Sequence, residues 1–287
     1  MRRAKVIQED NQQIGTVKEL TGAYESVAST RVAKVKSRVE LSKEFFDLLW
    51  QRYISIRINP NSRITHRPRA QEGAKKVFVI ISAEAGLSGD IDQHLIETML
   101  KDYDKSTTDI IVLGSHGANQ LNQRNIPYNR FFQAPESDSY LDVSPVIQAI
   151  EPYSKVTIYY EEYVSLGVQG VKTIDLISSI QVMGAEADLG KDIITADDTI
   201  FEPSLEEIAN MMEEAMMRLA LSQAILESSL AQDASRFNAM ASAKERAWEL
   251  LNYYQLEYHR AKRSESDRRS REVVVSLKKR KHSRRYR

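Results

Sequence analysis

The sequence predicts an α/β fold laid out as helix, domain, helix: two long terminal helices with an open α/β sheet domain inserted between them. Three observations carry this. Residues 204–287 contain neither glycine nor proline over 84 positions. All seven prolines and nine of the eleven glycines lie between Pro60 and Pro203, so the punctuation of a compact, turn-rich domain is confined to the middle. Residues 2–58 carry apolar side chains at three- and four-residue steps, interrupted only by Gly15 and Gly22. The boundaries that follow are an N-terminal helix over residues 1–59, a linker and α/β domain over 60–202, and a C-terminal helix with a basic tail over 203–287.

In the N-terminal helix the stripe reads Val17, Leu20, Tyr24, Val27, Val35, Val39, Phe45 and Leu49, with Lys18, Glu25, Lys36, Arg38 and Glu40 on other faces. Arg31 falls inside that stripe and requires a carboxylate partner or a route to water. Residues 59–73, with Pro60, Pro68, Arg63, Arg67 and Arg69, read as an exposed linker. Lys76 to Ser82 is a buried strand, followed by the turn Ala85-Gly86-Leu87-Ser88-Gly89 and a helix from Ile91 to Tyr103. Asp109 to Gly114 is a second buried strand, and two apolar strands separated by a helix make a parallel βαβ unit. Arg130 to Gln133 is a short strand, Asp142 to Pro152 a helix, and Lys155 to Tyr163 and Val171 to Ile180 two further strands.

Pro203 then introduces the long C-terminal helix, where Ser204 and Glu207 have the spacing of a capping box. Its apolar stripe runs through Leu205, Ile208, Met212, Met216, Leu219, Leu230, Ala234, Phe237, Ala241, Trp248, Leu251, Tyr254 and Tyr258. At 1.5 Å per residue this helix would extend roughly 126 Å, far beyond a compact core. It needs a partner, and the N-terminal stripe is the one available.

Composition sets limits. No run of 18 apolar residues is present to span a membrane, and Met1-Arg2-Arg3-Ala4-Lys5 leads into polar residues rather than an apolar signal core. With no cysteine the chain forms no disulfide or thiolate metal site, and its five histidines are scattered singly. The net charge of zero hides an asymmetry: residues 260–287 hold thirteen Lys/Arg against three Asp/Glu, a balance of +10, and the remainder holds 27 against 37. A basic end of this density suits a solvated tail, or a polyanionic or acidic partner.

Motifs for chemistry are weak. Gly86 and Gly89 precede a helix, as in phosphate-binding turns, but the G-x-G-x-x-G pattern is missing and Asp90 and Asp92 would repel phosphate. Gly184 to Lys191 has five residues between its glycines, and Asp192 stands where a P-loop needs Ser or Thr. Ser115 and His116, with Asp109 nearby, stand at a strand end where neighbouring side chains point apart. Glu161 and Glu162 face opposite sides of a strand and form no acid–base pair. The sequence offers no active site.

The motifs that do stand out are colinear. Leu20-Thr21, Ala23, Val27-Ala28 and Arg31 come first, then Ser82-Ala83-Glu84-Ala85-Gly86-Leu87-Ser88-Gly89 and Phe201-Glu202-Pro203. Leu226-Glu227-Ser228, Ala234-Ser235-Arg236-Phe237, Ala239-Met240 and Leu256-Glu257-Tyr258-His259-Arg260-Ala261 follow. In this order, over almost the whole chain, they resemble the gamma subunit of F-type ATP synthases. The resemblance implies an antiparallel two-helix coiled-coil shaft inserted through a ring of alternating alpha and beta subunits, with a Rossmann-like α/β domain as the foot on a membrane rotor ring. It implies a non-catalytic subunit, peripheral on the cytoplasmic face of the membrane, coupling rotation to ATP synthesis or hydrolysis. ATP, ADP and magnesium belong to the partner subunits, an epsilon-type subunit is a further partner, and no cofactor is bound directly.

Residue by residue, the resemblance places Tyr24, where the family usually has methionine, and Arg31, where it usually has lysine, against the acidic catch loops of the beta subunits. Arg236 matches the arginine beside the family's Ala-Met pair, and Lys262 and Arg263 stand where the family has an Arg-Gln pair; all three are expected to contact the catalytic ring. Phe201 and Glu202 match the aromatic-acid pair of the foot. The departures come late: Ser266-Asp267 and Arg269 replace the family's pattern, Val273 to Leu277 and a basic run replace its small apolar end, and Ser88 stands where a cysteine is often found. They leave two alternatives open, a shaft of a specialised motor coupled to another mechanical task, and a coiled-coil protein that binds nucleic acid through the basic tail.

Overall fold

A computed structural model describes residues 4–57, 75–134, 142–176 and 205–285. In chain order the elements are α1 (Ala4–Arg57), β1 (Lys76–Ile81), α2 (Ile91–Asp102), β2 (Thr108–Leu113), α3 (Ser115–Gln123), β3 (Arg130–Phe132), α4 (Ser144–Ile150), β4 (Lys155–Ser165), β5 (Val168–Asp175) and α5 (Leu205–Arg285). The chain divides into two compact units, Met1–Val27 with Ala239–Arg287, and Ala28–Asn238.

In the larger unit five strands form one sheet in the order β3-β2-β1-β4-β5. The first four are parallel, and β5 returns antiparallel beside β4 through a hairpin at Leu166-Gly167. Alternation within the buried strands sends successive side chains to opposite faces. Val77, Val79, Ile81, Ile111, Leu113, Val156, Ile158 and Tyr160 pack with α4 and with Leu221, Ala224 and Ile225 of α5. Phe78, Ile80, Ile110, Val112 and Tyr159 pack with Leu95, Ile96 and Met99 of α2 and with Ala118 and Leu121 of α3. Both faces are covered, which is why these strands read as continuous apolar runs.

Helix α3 is absent from the sequence reading, which left Ser115 and His116 on a strand end. The residues open a helix instead, and only Gly117, Ala118 and Leu121 of its nine are buried, too few to show a 3.6-residue period. Gly114 turns the chain out of β2 at φ 97°, a conformation open to glycine because a Cβ there would collide with the Ser82 backbone. Strand β5 begins at Val168, three residues before its expected start.

The helices pair antiparallel in each unit. In the smaller one Ala4 and Ile7 pack against Ala261, Tyr254 and Tyr258, and Lys244 Nζ meets Glu25 Oε2 at 2.7 Å. In the larger one Leu49 packs against Met212 and Met216.

The register of α1 matches the expected one at Val35, Val39 and Leu49 and differs from it at the other expected positions. Its covered positions are Ala4, Ile7, Asn11, Ile14, Lys18, Thr21 and Glu25, then Ala28, Val32, Val35, Val39, Ser42, Phe46 and Leu49, alternating steps of three and four. That is a heptad seam, but one residue away from Val17, Leu20, Tyr24, Val27 and Phe45, which are about half exposed. The seam admits small and polar residues among its apolar ones: Ala28 is fully buried, and beside the seam Gly22 faces the stem of Lys244. On α5, Trp248 likewise lies outside while Ala247 is buried.

Candidate functional site

Open α/β sheets bind ligands beyond the carboxyl ends of their strands, where the strand order reverses. Here the order reverses at β1, whose chain continues to β2 on one side while β4 lies on the other. That crevice is occupied by α5 itself. Ser228 Oγ lies 3.3 Å from the Ile81 carbonyl oxygen and 2.9 Å from Glu161 Oε2, and Gln232 Nε2 donates to Ser228 Oγ at 3.0 Å. Ser235 Oγ donates to the Ser88 carbonyl at 2.6 Å, and Arg236 reaches the carbonyls of Ala85 (3.1 Å) and Gly86 (3.3 Å). The glycine turn that suggested a phosphate cradle has its carbonyls aimed at the helix, and holds Leu87 at φ 67° with its side chain exposed.

Around this contact the polar groups are ordered by burial. Asp92, in the first turn of α2, accepts from the Ala83 amide (2.9 Å), Ser88 Oγ (3.0 Å) and His116 Nδ1 (2.8 Å). Glu161 is fully buried, and burial with the charge of Asp92 pushes its carboxyl well above the usual range. Its neighbour Glu162 turns to the other face and pairs with Lys172 at 2.9 Å, as strand alternation requires. Glu84 accepts from the amides of Ser115 and Ala134 and from the Ser115 hydroxyl. Ser115 and His116 thus serve two different carboxylates, and Asp109 is occupied by Lys75 and Tyr153. Asp233 is raised by burial, opposed by Arg236, which contacts it at 2.5 Å, and by Arg31. Tyr160 donates to Glu227, whose carboxyl burial also raises.

Of the residues singled out in the sequence, Tyr24 and Arg31 lie on the exposed side of α1, and Lys262 and Arg263 on the exposed side of α5. Arg236 is drawn into the crevice instead. Phe201 and Glu202, with Ser204 of the capping box and the Gly184 turn, lie outside the described residues. The pair Asp92 and Glu161 was missed as a unit, because nothing in sequence spacing joins α2 to β4. Among the described residues no group of three or more His, Cys, Asp or Glu is placed to hold a metal ion, and no helix is long and apolar enough to cross a membrane.

The second surface is the outward register of α1. Val17, Leu20, Tyr24 and Val27 continue, through Arg31, Lys34 and Arg38, to Leu41, Phe45 and Leu48 with the same alternation of three and four. Leu41 is 68% and Leu48 61% exposed. Single exposed apolar residues are ordinary, but each unit carries a row of them along α1, the pattern of a surface that a partner covers.

Comparison with known proteins places these features. The family model described as ATP synthase matches residues 3–267. The ATP synthase gamma chain of Alkaliphilus metalliredigens is 25% identical over 275 residues, covering 91% of this chain and 93% of its own length. That of Staphylococcus aureus is 26% identical over 275 residues, covering 90% and 92%. Among solved structures, the rotor of the Euglena gracilis mitochondrial ATP synthase superposes with a TM-score of 0.65 at 13% identity, over 91% of this chain and 98% of that one. The central stalk of the Tetrahymena thermophila mitochondrial enzyme gives a TM-score of 0.57 at 20% identity, over 78% and 99%.

Proposed function

The chain belongs to the ATP synthase family, and from that premise we propose how it works as a gamma chain, the central rotor subunit of an F-type ATP synthase. The observation that carries the mechanism is the doubled register of α1. One row, from Ala4 to Leu49, closes against α5, and a second row that holds Val17, Leu20, Tyr24, Val27, Leu41, Phe45 and Leu48 is left exposed. A helix pair built only to hold itself together would bury its best apolar residues. This one keeps Leu20, Tyr24, Val27, Phe45 and Leu48 for a sleeve, the ring of alpha and beta subunits.

The shaft carries no catalytic group in this mechanism. Turned inside the ring, it presents a different face to each beta subunit, and an equilibrium between open and closed catalytic states shifts by as much as those contacts differ. Nucleotide and magnesium are bound by the partner subunits. Tyr24 and Arg31 belong to the sleeve-facing row and side. Arg236 acts one step back: it holds the Ala85–Gly89 turn, and with it the exposed Leu87, in place. Lys262 and Arg263 face the ring nearer the tip, the α/β domain with Phe201 and Glu202 meets the membrane rotor ring and the epsilon-type subunit, and the complex sits on the cytoplasmic face. The test is co-expression with the alpha and beta subunits of an F-type ATP synthase from the same organism. One copy per three alpha–beta pairs is expected, with rotation-coupled hydrolysis; recovery of the chain as a free monomer in their presence would overturn the reading.

A further inference from the structure

The interior of the sheet domain holds a carboxyl group that the rotor mechanism does not use. Glu161, on β4, is completely buried, and its Oε1 has no hydrogen-bond partner. The polar groups facing it come from four elements. Asp92 of α2 meets three partners, the Ala83 amide, Ser88 Oγ and His116 Nδ1 of α3. Ser228 and Gln232 come from α5, and the Ile81 carbonyl from β1. The remaining charges nearby are matched elsewhere: Glu162 with Lys172, Glu227 with Tyr160, and Asp233 with Arg236.

Hydrogen counting decides the state of Glu161. Ser228 Oγ lies within bonding distance of two acceptors, Ile81 O and Glu161 Oε2, and accepts from Gln232. A hydroxyl has one hydrogen. If Glu161 is a carboxylate, Ser228 satisfies either it or Ile81; Gln232 also favours the anion, but burial and the Asp92 charge, the larger effects, oppose it. If Glu161 is the neutral acid, its own O–H on Oε2 serves Ser228, and Ser228 serves Ile81. Both hydroxyl hydrogens then have an acceptor, and the oxygen left over is a neutral carbonyl-like one, the Oε1 that stands alone.

We propose that the proton on Glu161 is a latch that seats α5, through Ser228 and Gln232, on the carboxyl edge of the sheet, so that α5 loosens there when Glu161 ionises. The latch lies wholly within the larger unit and stands whether or not the chain turns inside a ring. In a rotor it would make the grip between helix and sheet depend on the proton activity of the surrounding solution.

The sign follows from linkage. A carboxyl whose folded pKa is raised contributes stability that is present below the unfolded pKa and lost as pH rises through the folded one. Hydrogen exchange of the full chain, corrected for intrinsic rates, is the assay. Protection of α5 around residues 226–235 is expected to fall about tenfold per pH unit across that window. Glu161→Gln, whose amide mimics the neutral acid, should hold protection flat, whereas Glu227→Gln should leave the wild-type dependence in place. Parallel loss in wild type and Glu161→Gln would overturn the latch. Should Glu161→Gln not fold, infrared spectra of glutamate-labelled wild type decide: a protonated carboxyl band that persists at neutral pH and survives Glu227→Gln supports the proposal, and its absence refutes it.

Discussion

Replacing Arg236 with alanine separates an ordinary helix charge from a buried clamp. The Arg236 and Asp233 side chains are 13% and 4% exposed and meet at 2.5 Å, and the same guanidinium reaches the Ala85 and Gly86 carbonyls. Water can replace Arg236 at those two carbonyls, which are at the surface, so they contribute little to the loss. Asp233 is different: without Arg236 its charge is left in a site that already raises its pKa, with only the field of Arg31 to oppose. Breaking one side of a buried pair costs about 3–5 kcal/mol, and the help from Arg31 puts the expectation at the lower end, about 3 kcal/mol. Urea unfolding of the full chain near neutral pH measures it. The deficit should shrink as pH falls, because protonating Asp233 removes the orphaned charge, and a matched Asp233→Asn/Arg236→Met pair should recover about half of it. A loss below about 0.5 kcal/mol, the range of a surface substitution, or a deficit independent of pH, would refute the clamp.

Three further outcomes are expected. Gly114→Ala should destabilise more than Gly117→Ala, because a Cβ at position 114 meets the Ser82 backbone at φ 97°, whereas at 117, where φ is not positive, it meets the Oγ and Cβ of the Ser82 side chain; thermal melts of the two variants rank them. Ala28→Leu should cost about 1–3 kcal/mol through overpacking at a fully buried seam position, while Val27→Ala, one residue away, stays within about 0.5 kcal/mol in denaturant unfolding. The triple substitution of Leu20, Tyr24 and Val27 by serine should leave the free chain's unfolding nearly unchanged and weaken assembly with alpha and beta subunits. Half-exposed side chains worth about 1 kcal/mol each make that loss about 100-fold, readable by titrating the chain into the subunits.

What was legible in the sequence follows from which signals are local. The strands β1, β2 and β4 are covered on both faces, so their apolar runs marked them within a residue or two. The absence of glycine and proline after Pro203 marked α5 without any knowledge of its partner. Helix α3 was not legible, because it touches the core through two apolar side chains and earns its place from the Gly114 turn and the Asp92 and Glu84 contacts at its start. The dismissal of Glu161–Glu162 as an acid–base pair rested on strand alternation, which the opposite environments of the two residues bear out. That Glu161 would instead meet Asp92 and Ser228 depends on three segments far apart in the chain, and no spacing rule reaches so far.

The register of α1 is the more instructive difference: the helix and its antiparallel pairing with α5 were correctly expected, Val35, Val39 and Leu49 do face inward, and Val17, Leu20, Tyr24, Val27 and Phe45 do not. Choosing the most apolar row is sound for a helix whose whole environment is its own chain. It fails when a helix has two environments. The inner row here interleaves Lys18, Thr21, Glu25, Ala28 and Ser42 with Ile14, Val32, Val35, Val39 and Phe46, and its Glu25 forms an ion pair with Lys244 that fixes register. The outer row, one residue away, holds valine, leucine, tyrosine and phenylalanine. Two heptad rows side by side are therefore a sign readable from sequence alone. Where both rows carry apolar residues, the row that also holds the small residues and the ion pair is the intramolecular seam, and the other is left exposed.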